Sequence, residues 1–140
     1  MRFFDSLAIS ATGLSAERLR MDLISSNIAN VNTTRTAEGG TYKREVAVFA
    51  EKLDQALQSQ GKPKGQGVEV VGIVQDNSPD KLVYDPSHPD ADSNGYVHYP
   101  NINIVSEMVD MITATRSYEA NLTILNAGKS MAQKALEIGK

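Results

Sequence analysis

Asn27-Ile28-Ala29-Asn30-Val31-Asn32-Thr33 stands where a long amphipathic helical pattern stops and a different kind of chain begins. Asparagine is a poor residue for a helix interior, yet it tolerates the left-handed conformation and hydrogen-bonds nearby backbone. A cluster of it therefore reads as an exit from a helix. Upstream, Phe3, Leu7, Leu14, Met21, Ile24, Ile28 and Val31 recur at a spacing of about 3.5 residues, broken only by Ser10 and Glu17. A stripe of that kind is a seam for another helix.

The other end of the chain supplies the matching helix. Ile104, Met108, Met111, Tyr118, Leu122, Leu125, Ala132 and Leu136 follow the same spacing, with Thr115 and Lys129 interrupting it. Continuous from about 102 to 138, that helix would be about 55 Å long, more than a small compact domain accommodates. The two are expected to pair antiparallel, because the intervening segment brings the chain back towards its start, with Leu14 and Met21 against residues such as Leu122 and Leu125. Two helices alone leave apolar flanks uncovered: Leu19 and Leu23 on the first, Val105, Val109, Ile112 and Ile124 on the second. Flanks of this extent mark interaction surfaces.

Between the helices the composition changes. All 5 prolines and most of the 10 glycines fall between Gly39 and Pro100. The 140 residues thus divide into an N-terminal helix (1–32), a β-rich and loop-rich middle (33–100) and a C-terminal helix (101–140), an α+β chain. Tyr42, Val46 and Val48 alternate with polar or small residues, and Val68, Val70 and Ile73 follow Gly67 in a similar run, so both read as strands. Lys81–Tyr84 and Tyr96–Tyr99 are shorter candidates. Phe49, Leu53 and Leu57 suggest a helical turn or two, and residues 61–67 read as a flexible loop.

Charge and composition bound the function. A net charge of −3 and an isoelectric point near 5.3 give no electrostatic reason to expect nucleic acid or an anionic membrane as partner. No run of apolar residues is long enough for a spanning helix. Met1-Arg2-Phe3-Phe4 resembles the start of a signal peptide, but Asp5, Ser6, Glu17, Arg18, Arg20 and Asp22 interrupt it, so the segment is expected to stay in the mature protein. Without cysteine there is no thiolate chemistry and no disulfide. Two histidines, no phosphate-binding glycine loop and no Ser-His-Asp spacing leave few routes to catalysis, and no cofactor is expected. Asp90-Ala91-Asp92-Ser93-Asn94-Gly95 matches the start of a calcium loop, but Asn101 stands where the bidentate glutamate belongs. It reads instead as a turn leading into the Tyr96 strand.

These residues carry a resemblance. Ser26-Asn27-Ile28-Ala29-Asn30-Val31-Asn32-Thr33 resembles the signature that ends the N-terminal helix of bacterial flagellar rod and hook proteins, through Asn27, Ala29, Asn30, Asn32 and Thr33. Arg116-Ser117-Tyr118-Glu119-Ala120-Asn121 resembles its C-terminal counterpart. Tyr42-Lys43-Arg44, Lys81–Pro86 and Gly95–Asn101 are similar to the small proximal-rod branch of that family, as is the long connection Thr34–Thr41, although Ala37 stands where that branch would have proline. The resemblance implies a structural subunit of the flagellar basal body that assembles with itself and other rod proteins into a helical tube in the periplasm. It also implies delivery by the flagellar type III export apparatus without a cleaved signal, with the terminal helices around the export channel. The seam residues Leu7, Leu14, Met21, Ile24, Ile28, Ile104, Met108, Met111, Tyr118, Leu122, Leu125 and Leu136 would carry that assembly. The competing reading from another class is a coiled-coil adaptor or chaperone-like module binding a single partner helix.

Overall fold

Both helical patterns form helices. In the computed structural model, which describes residues 3–37, 39–53 and 65–138, α1 spans Phe3–Ala29 and α2 spans Ile104–Ile138, about 40 and 52 Å long. Asn103 caps α2: its Oδ1 accepts the backbone N–H groups of Val105 and Ser106 at 3.0 and 3.3 Å. The helices pair antiparallel, with Gly13 facing the Asn121 side chain, Met21 facing Thr115, and Asn27 bonded to Glu107.

This register corrects the expected contacts of Met21, whereas Leu14, next to Gly13, lies at the level of Asn121. Met21 lies opposite Thr115, well short of Leu122 and Leu125. On α2, Ile104, Met108, Leu122 and Leu136 are exposed, while Met111, Tyr118 and Leu125 are half-buried. The buried line of α2 runs through Glu107, Ala114 and Gly128. On α1, Ile24 is buried, and Leu7, Leu14, Met21 and Ile28 are half-buried. The helices approach through small and polar side chains, so the expected stripe of α2 is only partly covered: Met111, Tyr118 and Leu125 are half-buried, while Ile104, Met108, Leu122 and Leu136 face outward.

Among its described residues the middle segment holds four strands: β1 (Glu45–Leu53), β2 (Gly65–Gln75), β3 (Lys81–Tyr84) and β4 (Tyr96–Tyr99). β1 and β2 pair antiparallel with register shifts after Val48 and after Glu51; β3 and β4 pair antiparallel from Lys81↔Tyr99 to Tyr84↔Tyr96. The helical turn expected around Phe49 and Leu53 is instead strand β1, and Leu57 lies outside the described residues. The expected loop at 61–67 gives way to β2 from Gly65 onward, and 61–64 also lie outside them. The β1–β2 hairpin packs with both strands on α1, which explains why Leu23 is buried and Leu19 half-buried.

The Asp/Asn/Gly stretch forms the turn before β4. Asp92 Oδ1 accepts the N–H groups of Asn94 and Tyr96, each at 2.8 Å, and Gly95 takes the positive φ of 81° that the reversal requires. Asp90 accepts the Thr34 hydroxyl at 2.8 Å and ties this turn to the connection after α1.

Candidate functional site

Two features of this fold bear on function: a buried polar junction at one end of the helix pair and an uncovered apolar face on α2. The junction grows from Asn27 in the last turns of α1. Its side chain is 1% exposed and makes four hydrogen bonds, the full capacity of an amide. Nδ2 donates to the Glu45 carbonyl at 2.9 Å and to Glu107 Oε2 at 3.2 Å. Oδ1 accepts the Glu45 N–H at 3.0 Å and the Tyr42 hydroxyl at 3.1 Å. Asn27 therefore gives the first residue of β1 both bonds that a neighbouring strand would give.

Glu107, also 1% exposed, reaches the same point from α2. A carboxylate so deeply buried needs a countercharge. Arg44, just ahead of β1, supplies it, with Nε donating to Glu107 Oε1 at 2.6 Å. The charges continue outward: Asp110 lies 3.7 Å from Arg44 and 3.6 Å from Arg20 on α1, and Arg20 lies 3.9 Å from Glu17. One amide and one ion pair thus join α1, α2 and β1.

The remaining motif residues have separate tasks. Asn30 Nδ2 donates back to the Ser26 carbonyl at 2.9 Å, and the Thr33 hydroxyl donates to Asn30 Oδ1 at 3.1 Å. The Tyr42 N–H then closes on the Thr33 carbonyl at 3.2 Å, so the connection returns to the helix end. Among the described residues only glycines have positive φ, so the asparagines end α1 by side-chain bonding and not by entering the left-handed region. Asn32 and Ala29 are exposed. In the C-terminal motif, Asn121 abuts Gly13, where an added Cβ would lie 3.0 Å from Asn121 Nδ2. Ser117 and Tyr118 are half-buried; Arg116 and Ala120 face outward.

A second clasp joins the two hairpins. Asp80 accepts the Thr41 hydroxyl at 2.9 Å and the Lys43 amine at 2.5 Å, with His98 of β4 at 3.7 Å. Burial raises the Asp80 pKa, but the bonds from Lys43 and Thr41 and the Lys43 charge outweigh it and hold the group below its ordinary value of 3.8.

The outer face of α2 contrasts with that of α1. The exposed stripe of α1 consists of Ala8, Ala11, Ser15, Arg18, Asp22, Ser25 and Ala29, all small or polar. α2 instead exposes Ile104, Val105, Met108, Val109 and Ile112, with Val105 69% accessible. This apolar stripe adjoins an open groove lined by Val31, Val83, Tyr99 and Ile102. Sequence reasoning named most of the stripe but missed Arg44, Glu107 and Asp110 as a group. The available signal was an acidic residue inside the start of an otherwise apolar helix.

The family profile described as flagella basal body rod protein matches residues 7–35, and that described as flagellar basal body rod FlgEFG protein C-terminal matches residues 93–138. Over 99% of its length the chain is 48% identical to the flagellar basal-body rod protein FlgC of Borreliella burgdorferi, covering 98% of that relative. It is 46% identical to the Bacillus subtilis protein of the same description and 38% identical to the Salmonella typhimurium one, with both chains covered in full in each case.

Proposed function

The chain belongs to the FlgC family of flagellar basal-body rod proteins, a rod structural subunit, and from that premise we propose how it is built into the rod. Its N-terminal part (1–32) and C-terminal part (101–140), which carry α1 and α2, form the inner part of the tube and surround the export channel. The middle (33–100) faces outward, and the assembled rod transmits torque. The observation that carries this reading is the apolar stripe Val105–Ile112 on α2, whose exposure in water is unfavourable by about 25 cal/mol per Å² and is relieved when neighbouring subunits pack on it. Ile104, Met108, Leu122 and Leu136, which lie outside the intramolecular seam, belong to that contact, and its occupants are further copies of the chain and other rod proteins.

The chain reaches the periplasmic rod through the flagellar type III export apparatus, retaining its N-terminus. Among the described residues no helix is long and apolar enough to cross a membrane, and no cluster of three potential metal ligands occurs. The function proposed is packing, with no catalytic step. The test is complementation of a flagellated bacterium lacking the gene. Wild type restores rods and swimming, whereas a variant charged on the stripe is made but leaves the basal body without a rod; rods built normally from that variant would refute the reading.

A further inference from the structure

We propose that α1 holds the β1–β2 hairpin as a rigid extension of the helix pair through two side-chain clasps, Asn27 at one end and Thr12 at the other. The first clasp is the Asn27 amide on both backbone groups of Glu45. The second lies towards the other end of α1. The Thr12 hydroxyl donates to the Ile9 carbonyl at 2.7 Å, which commits its proton and aims a lone pair outward, and the Val68 N–H donates to that oxygen at 3.1 Å.

The two clasps are matched in spacing. From Asn27 back to Thr12 the helix rises about 22 Å. From Glu45 to Glu51, the cross-strand partner of Val68, β1 advances about 20 Å. The hairpin therefore lies along α1 and is fastened near both ends. A two-stranded hairpin is marginal by itself, and side chains acting as surrogate strand partners remove the freedom to swing that one attachment would leave.

Gly67 makes the second clasp possible. Its φ is 113°, and a Cβ there would lie 2.2 Å from Thr12 Oγ1, so only glycine lets the strand approach this closely. Neither Thr12 nor Gly67 belongs to the asparagine motif or the helix seam. The clasp supplies a route by which load on the helices reaches the outer segment, and that consequence rests on the rod reading, although the clasp itself does not.

The test is amide hydrogen exchange on the full-length chain. Thr12→Val should speed exchange of the Val68 amide at least tenfold while leaving the Asn27 end and the α1–α2 seam protected, Thr12→Ser should restore wild-type exchange, and Gly67→Ala should reproduce Thr12→Val by steric displacement. Equal Val68 exchange in wild type and Thr12→Val, or a wild-type amide already exchanging at the unprotected rate, would overturn the proposal. Complementation separates the two ideas: a clasp confirmed by exchange in a chain that builds no rods would remove the rod reading and leave the clasp standing.

Discussion

Asn27 shows how much one side chain can decide. It satisfies both backbone groups of Glu45 while orienting Glu107, so Asn27→Ala should cost about 3 kcal/mol or more, measured by denaturant unfolding, because buried donors and acceptors lose their partners together. The ion pair beside it makes a sharper test. Arg44→Met leaves the Glu107 carboxylate buried and unpaired, and should cost about 3–5 kcal/mol. Glu107→Gln removes the buried charge and keeps an oxygen for Arg44, but it turns an NH2 group onto the Asn27 Nδ2 donor, so it should cost about 1–3 kcal/mol, less than Arg44→Met. Equal losses from both variants would mean that charge pairing contributes nothing at this junction. That Asn27 ends the helical part of the chain was legible in the sequence; that it binds a strand and a second helix was not, since its partners are distant in the chain and do not share a pattern with it.

The elements show where periodicity informs and where it misleads. The existence of both helices, the strands at Lys81–Tyr84 and Tyr96–Tyr99, and the tripartite order were readable from residue spacing and from the confinement of proline to the middle. The phase of α2 was not. Hydrophobic spacing selects the largest apolar side chains, and in this helix several of them, Ile104, Met108 and Leu122 included, mark the outer face, whereas Ala114 and Gly128 let the helices close. Ala114→Leu should therefore overpack the seam and destabilise by about 1–3 kcal/mol, while Leu added at exposed Ala120 should not, as thermal unfolding of both variants would show. The Asp80 clasp has a pH signature. Its folded-state pKa lies below the unfolded one, so its contribution is present above about pH 3.8 and is lost as pH falls through the depressed folded value. Exchange of the Tyr42 amide, which donates to the Thr33 carbonyl between the two residues that Asp80 holds, should rise relative to its intrinsic rate on acidification through that window, and Asp80→Asn should flatten the dependence.

At the scale of the molecule, three layers meet along α1: α2 on one side, the β1–β2 hairpin on another, and solvent along a stripe of small and polar residues. Among the described residues α2 has no such cover over Val105, Val109 and Ile112, so an unburied apolar face lies on the longest described element. We propose that face as the surface by which subunits join. The direct measurement is basal-body isolation from cells whose only copy of the chain carries Val109→Asp, paired with unfolding of the purified variant. Val109 is 57% exposed, so the fold should change in stability by no more than about 0.5 kcal/mol. The account predicts a normally produced, normally folded chain and basal bodies without a rod. Intact rods and full swimming from that variant would contradict it.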